Sequence, residues 1–169
     1  MIVMFFGYPG AGKTTLVQRF GRLFGVIAID TDQYMTPAER HAAASGAYTQ
    51  AMRLANIGRY CTAVRQEYAG RSVALADGLP NNEARRFLLA QFAPGEVTLV
   101  LVQSEPALWE ARLRARKENA VSIDVDAARD YIAANWEPVA PSIPYSVLEN
   151  GPDAASSRRS YALSAARSV

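Results

Sequence analysis

Residues 7–14, GYPGAGKT, have the spacing G-x-x-x-x-G-K-[ST] of a phosphate-binding loop. Glycines let successive backbone amides converge on phosphate oxygens, and a following helix adds its positive N-terminal end. In such a loop Lys13 is expected to reach the β- and γ-phosphates of a nucleotide, and the Thr14 hydroxyl to hold Mg²⁺. The residues predicted to contact the nucleotide are Gly7, Pro9, Gly10, Ala11, Gly12, Lys13, Thr14 and Thr15.

A second candidate Mg²⁺ ligand is Asp77, which ends the apolar run VALA. Where a glutamate would activate water for hydrolysis, the next residue is Gly78, so the sequence favours transfer to another acceptor. A motif for guanine recognition, N-K-x-D, does not occur. The predicted cofactors are therefore ATP and Mg²⁺. A turn aspartate before a glycine is the structural alternative for Asp77.

The stretch IDTDQY places two carboxylates, Asp30 and Asp32, two residues apart after another apolar run. In an extended chain both side chains would point to the same side, across a cleft from the loop. A carboxylate that orients a hydroxyl and accepts its proton is what phosphoryl transfer needs. We expect Asp32 to bind the acceptor and Asp30 to support it, although either could simply cap a turn.

The segment EARLRARKEN carries Arg112 and Arg116 four residues apart, hence on one face of a helix, while Arg114 points elsewhere. Two guanidinium groups that close over a triphosphate would stabilise charge on the transferred group. Arg112 and Arg116 are therefore candidate catalytic residues. The alternative is a solvated helix face.

Apolar runs of strand length alternate with helical periodicity, which predicts a three-layer α/β fold with a five-stranded parallel sheet flanked by helices. The continuously apolar runs indicate strands buried on both faces. The predicted strands are 2–6, 26–30, 72–77, 97–102 and 145–149. The predicted helices follow residue 14 and cover 48–69, 82–92, 104–117 and 124–136, with a last one from 153.

Composition sets limits on these interpretations. The chain of 169 residues has the length of one domain, and its net charge of +2 gives no support for nucleic acid binding. One cysteine, Cys61, and one histidine, His41, make a disulfide framework, a His-rich metal site and a Ser-His-Asp triad unexpected. No apolar run is long enough to cross a membrane. A cytoplasmic protein is therefore expected.

Four motifs together, GYPGAGKTT, IDTDQY, ADGLPNNEARR and ARLRARKENAVSIDVDAARDYI, resemble the small P-loop kinases. The group includes phage polynucleotide 5′-kinase domains, chloramphenicol phosphotransferase and zeta toxins, and the likeness covers most of the chain. It implies a nucleotide-kinase-like P-loop NTPase fold and one kinase domain over 1–169, with a short lid at about 112–123.

By this resemblance Asp32 matches the general base, Arg112 and Arg116 match lid arginines, and Arg85 or Arg86 faces the substrate. There are departures from the family pattern. Met35 stands where polynucleotide kinases have an arginine, which weakens the carry-over of polynucleotide contacts. Asn81 stands where adenylate kinases have an arginine, which disfavours nucleoside-monophosphate kinase activity.

The acceptor is expected to bind in a helical region at about 34–69, with Tyr34 and Arg53 among its contacts. The predicted function is transfer of the γ-phosphate of ATP to a hydroxyl of a small molecule such as an antibiotic, a nucleotide or a sugar. A polynucleotide 5′-hydroxyl kinase and a non-catalytic ATP-binding regulator remain alternatives, because a mixed polar and aromatic set suits several acceptors.

Overall fold

The computed structural model of the protein describes residues 1–115 and 125–151, which contain one sheet of five parallel strands. Its order is β2-β3-β1-β4-β5. The strands are β1 (Ile2–Phe6), β2 (Ile27–Asp30), β3 (Val73–Asp77), β4 (Val97–Gln103) and β5 (Ser146–Glu149). The predicted five-stranded parallel sheet is confirmed, and every strand end lies within one residue of its predicted position.

Burial along the strands follows their place in the sheet. All of β1 and all of β3 except its last residue are buried, because the sheet separates two apolar clusters that cover its faces. The prediction that every strand is buried on both faces is wrong for the two edge strands. In β5 the residues alternate between half-buried and exposed, and Val147 is 51% exposed.

Six α-helices flank the sheet in the described ranges: α1 (Lys13–Phe24), α2 (Pro37–Ala44), α3 (Gln50–Glu67), α4 (Asn82–Leu89), α5 (Pro106–Ala115) and α6 (Val125–Asn135). The long helix predicted over 48–69 is confirmed as α3, with slightly shorter ends. Arg116, most of the predicted lid and the helix predicted from residue 153 lie outside the described residues.

Two elements between β2 and α3 were not predicted individually, a 3₁₀ helix over Thr31–Tyr34 and α2, although α2 lies within the helical region expected at about 34–69. The signal for α2 is present in the sequence as a capping box. The Thr36 hydroxyl accepts from the Glu39 amide, and the Glu39 carboxylate accepts from the Thr36 amide. Pro37 then stands at the first helical position, where its missing N–H costs nothing.

The strand order determines where a ligand-binding site lies in this fold. The chain runs from β1 through α1 to the outer strand β2 and returns to β3, so β1 lies between β3 and β4. Open parallel sheets bind ligands beyond their carboxyl ends, where the strand order reverses. The loop after β1 and the ends of β2 and β3 meet there. No helix in the described part of the chain is long and apolar enough to cross a membrane.

Candidate active site

The loop between β1 and α1 is shaped by its glycines. Gly12 caps α1 in the left-handed conformation, φ 89°, and a Cβ added there would lie 2.4 Å from the Asn150 amide nitrogen. A Cβ on Gly7 would lie 2.5 Å from the Val102 carbonyl oxygen. Gly12, the N-cap residue of α1, has no side chain to accept from the first-turn amides, and such a helix N-terminus offers these amides to an anion.

Side chains from the other end of the chain support the loop from behind. The Asn150 Nδ2 donates to the Ala11 carbonyl over 2.7 Å, and the Ser104 hydroxyl donates to the same carbonyl over 3.4 Å. The Trp109 indole N–H donates to the Pro9 carbonyl. Sequence reasoning did not predict these three contacts, because no local motif marks a side chain that reaches the loop from about 90 or more residues away.

The Lys13 ammonium lies at the mouth of the loop, where it donates to the carbonyls of Gly7 at 3.0 Å and Tyr8 at 2.8 Å. The side chain therefore curls back over the loop. Its charge lies close enough to Asp77 to help lower the pKa of that carboxyl. A phosphate bound by the loop would meet this ammonium directly.

The position of the Asp30 side chain differs from the predicted one. It ends β2, its Oδ1 accepts from the Asp32 amide, and its Oδ2 accepts from the Thr14 hydroxyl over 3.1 Å. The expectation of two carboxylates on one side of an extended chain is wrong, because Asp30 caps the 3₁₀ helix that contains Asp32. Asp30 is thereby held beside the loop hydroxyl, while Asp32 is exposed on the wall of the cavity.

Asp77 ends β3 beside the start of the loop, where it pairs with Phe6 in the parallel register. The Tyr60 hydroxyl donates to its Oδ2 over 2.9 Å, and the Gly78 amide donates to its Oδ1. Burial nevertheless raises the pKa of Asp77, against the lowering effect of Tyr60 and of the positive charge on Arg53. The carboxylate is thus costly to ionise, and a bound cation would favour its charged form.

A single cavity of about 930 Å³ joins these groups at the carboxyl edge of the sheet. Of the predicted contacts, Ala11 and Tyr34 do not line it: Ala11 is buried, and Tyr34 packs beside the Tyr60 ring. The cavity also reaches α3 and α6. The predicted residues that line it are Gly7, Pro9, Gly10, Gly12, Lys13, Thr14, Thr15, Asp30, Asp32, Arg53, Asp77 and Arg112.

The expectation that Arg85 faces the substrate is wrong. Its side chain is fully buried, and its guanidinium donates to the carbonyls of Leu79, Pro80 and Glu137. The same group lies 4.9 Å from the centre of the Trp136 ring. All these partners are protein groups, so Arg85 ties α4 to the segment after α6. Trp136 itself lines the cavity and packs against the Tyr8 ring.

Arg112 lies on the loop side of the cavity, half-buried, with its Nη1 donating to the Ser104 hydroxyl over 2.7 Å. Burial lowers the pKa of the guanidinium. Arg114 pairs with Glu110 on the exposed face. Arg116, the second predicted lid arginine, lies outside the described residues, so closure by the pair stays a prediction.

The glycine cradle, the uncapped helix and the parallel sheet of order 2-3-1-4-5 define a P-loop NTPase domain. Comparison with protein families agrees with this class: the model for AAA_33, described as an AAA domain, matches residues 2–135. The chain belongs to that family. A search of the curated proteins finds no match.

Solved structures share the fold at low sequence identity. A sugar kinase from Janibacter sp. HTCC2649 is 17% identical with a TM-score of 0.70, covering 89% of this chain and 84% of its own. A gluconokinase from Sinorhizobium meliloti 1021 is 14% identical with a TM-score of 0.72, over 87% and 81%. An APS kinase from Mycobacterium tuberculosis, solved with AMPPNP and APS, is 19% identical with a TM-score of 0.56, over 90% and 88%.

Proposed function

We propose that the protein is a kinase that transfers the γ-phosphate of ATP to a hydroxyl of a small molecule. The observation that carries this proposal is the cavity, which brings a phosphate-binding loop and an exposed carboxylate, Asp32, to one space. Similar folds occur in proteins named as sugar kinase, gluconokinase and APS kinase. The volume suits small ligands.

In the proposed reaction the acceptor oxygen forms a bond to the γ-phosphorus, the bond from that phosphorus to the β-bridging oxygen breaks, and ADP leaves. The amides of the loop and the Lys13 ammonium hold the phosphates. Because these donors are fixed before the substrate arrives, they stabilise the transferred group without reorganisation. Arg112 would add positive charge from the side of α5.

Asp32 is the proposed acceptor-binding carboxylate. It orients the attacking hydroxyl and takes its proton as the new bond forms. Its exposure on the cavity wall leaves the carboxylate accessible to a ligand, and the capping bond from its amide to Asp30 fixes the backbone that carries it.

The donor set fits Mg²⁺, which takes oxygen ligands and is commonly held by one or two carboxylates together with substrate phosphates. When bound, the ion would neutralise negative charge on the phosphates. The residues that would hold it are Thr14 and Asp77. The hydrogen bond between Thr14 and Asp30 places a hydroxyl and a carboxylate side by side, which supports Asp30 as a participant that orients the threonine.

The experiment is a screen of hydroxyl acceptors with γ-labelled ATP, at low and at high salt. The proposal expects labelled product from a small molecule, with an acceptor KM that changes little with salt. A 5′-hydroxyl polynucleotide acceptor would instead show a KM that rises steeply with salt, because counterions are displaced from its backbone. Tight ATP binding without transfer to any acceptor would favour a nucleotide-binding regulator.

A further inference from the structure

The α3 wall of the cavity carries a cation that makes no salt bridge with the described residues. Arg53, on α3, is only 7% exposed and lines the cavity. Its Nε donates to the Gln50 side chain, and its guanidinium lies 5.2 Å from the centre of the Tyr48 ring. Its terminal nitrogens, Nη1 and Nη2, make no hydrogen bond and no ion pair with any residue in the described ranges.

The terminal nitrogens of Arg53 retain access to the cavity. Among the described residues, no fully buried side-chain nitrogen or oxygen lacks a hydrogen-bond partner. Since Nη1 and Nη2 have no such partner, they are open to the cavity rather than sealed in the core. A nearly buried guanidinium without an ion pair is costly, and an anionic ligand would remove that cost.

A second donor lies one turn along the same helix. Asn56 is 5% exposed, lines the cavity, and is three residues from Arg53, which puts both on one face of α3. Its Oδ1 accepts from Arg59, so its Nδ2, which has no partner among the described residues, is turned away from that arginine. Arg59 is itself paired with Glu39.

These donors belong to the acceptor side of the cavity. Helix α3 packs against the 3₁₀ helix that carries Asp32 and against α4, whereas the phosphates of ATP belong to the loop and α1. A fork of guanidinium nitrogens beside an amide N–H₂ offers several hydrogen-bond donors and no acceptor. Such a set matches a carboxylate or a phosphate group, which can accept two parallel hydrogen bonds through two of its oxygens.

We propose that the phosphate acceptor is an anion: a small hydroxylated molecule whose carboxylate or phosphate group binds Arg53 and Asn56 while its reacting hydroxyl lies at Asp32. This inference rests on the kinase function proposed above. It assigns the charge class of the acceptor.

The first test compares acceptors that share a carbon skeleton and differ in charge. Suitable series are glycerol, glycerate and glycerol 3-phosphate, and glucose, gluconate and glucose 6-phosphate, each with γ-labelled ATP. We expect kcat/KM for an acid or a phosphate ester to exceed that of its neutral member by about 10-fold or more. The anion with the higher kcat/KM shows whether a carboxylate or a phosphate group binds at this site. Equal rates with the neutral member would overturn the inference and leave the kinase function standing.

The second test changes the donors. Arg53→Gln is expected to raise the KM of the anionic acceptor by about 10- to 100-fold and to change the KM of ATP by less than twofold. Arg53→Lys should restore part of the loss, since it keeps the charge without the fork. The matched control is Arg65→Gln, an exposed arginine on the same helix that does not line the cavity.

Arg53 has one rival role, because its charge also helps to lower the pKa of the Asp77 carboxyl. If that were its whole purpose, Arg53→Gln would weaken Mg·ATP binding and leave the preference for charged acceptors unchanged, which would overturn the inference. Asn56→Asp provides a near-isosteric second variant should Arg53→Gln fail to fold. It should reduce the preference for the anionic acceptor by about 10-fold, and an unchanged preference would contradict the proposal.

A binding measurement separates this inference from the kinase proposal. The loop is first filled with Mg²⁺ and a non-hydrolysable ATP analogue, so that added anions cannot bind there. Glycerate and inorganic phosphate are then titrated at constant ionic strength while thermal unfolding is followed. A stabilisation that Arg53→Gln abolishes supports the anion site even if no acceptor is phosphorylated. The absence of any Arg53-dependent stabilisation would overturn it.

Discussion

The two halves of the cavity are built differently. In the proposed nucleotide half, the loop over residues 7–14 supplies backbone amides, and its glycines adopt conformations that few side chains permit. In the acceptor half, the wall is made of side chains from the 3₁₀ helix, α2 and α3, among them Asp32, Arg53 and Asn56. Backbone recognition leaves a contiguous motif in the sequence, whereas recognition by side chains from separate elements does not.

This difference explains why the two halves should respond differently to substitution. Changes in the nucleotide half should affect every acceptor equally, because ATP is common to all reactions. Changes in the acceptor half should leave ATP binding intact and alter only transfer or acceptor choice.

Lys13→Ala is expected to reduce kcat/KM by about 100- to 1,000-fold with every acceptor, since it removes a fixed positive charge from the phosphates. Steady-state assays with two different acceptors measure this. Arg22→Gln, an exposed cation near the other end of α1, is the control and should keep wild-type activity. A loss confined to one acceptor would mean that Lys13 does not serve the nucleotide half.

Asp32→Asn is expected to lower kcat by about 100-fold, because the amide can still accept a hydrogen bond but cannot take the proton of the hydroxyl. ATP affinity, measured by calorimetry, should stay within twofold of wild type, since Asp32 lies on the acceptor side. Unchanged transfer would remove Asp32 from the mechanism. A parallel loss of ATP binding would abolish the division between the two halves.

Asp30→Asn is expected to weaken the apparent affinity for Mg²⁺ by about 10-fold, because groups that orient a metal ligand commonly contribute that much. The structural reason is the hydrogen bond from the Thr14 hydroxyl. A titration of activity with Mg²⁺ at saturating ATP measures the change, and maximal activity should be largely recovered at high Mg²⁺. No shift in the Mg²⁺ midpoint would limit Asp30 to capping the 3₁₀ helix.

Asp77→Asn is expected to lower activity yet increase the free energy of unfolding at pH values above the ordinary carboxyl pKa. Burial raises the pKa of Asp77 in the folded protein, so the folded state binds the proton more tightly than the unfolded chain does. The wild-type protein therefore loses stability as pH rises from the ordinary carboxyl pKa to the raised one, and the variant does not.

Urea unfolding of both proteins without nucleotide, at pH values from the ordinary carboxyl pKa upward, measures the difference. The gain in the free energy of unfolding from Asp77→Asn should grow as pH rises from the ordinary carboxyl pKa to the raised one. It should be constant at higher pH. A variant less stable than wild type at neutral pH would show that the hydrogen bonds from Tyr60 and Gly78 outweigh the cost of burying the charge.

The sequence predicted those features that depend on local periodicity or on backbone conformation. The five strands follow from apolar runs, and the loop follows from the spacing of its glycines. The sequence did not predict the environment of Arg85, because an arginine buried by backbone carbonyls looks no different in sequence from one that faces a substrate. The contacts of Asn150 and Trp109 with the loop were not predicted for a related reason: they exist only in the folded chain.

Asp30 shows the same limit at shorter range. Its spacing from Asp32 was interpreted as an extended chain, although the chain turns into a 3₁₀ helix directly after β2. An aspartate can also cap a turn, which was the alternative expectation from the sequence, and this capping fixes the position of the Asp30 carboxylate. The capping box of α2 was an equally local signal that could have been used.

We expect backbone amides between Gly7 and Thr14 to hold the phosphates of ATP independently of the acceptor side. Calorimetric titration with ATP in the presence of Mg²⁺ tests this expectation directly. Saturable binding with one site per chain is expected in the wild type. It should be retained in Asp32→Asn and lost in Gly12→Val, whose side chain would collide with Asn150. Absence of binding by the wild type, or full binding by Gly12→Val, would contradict it.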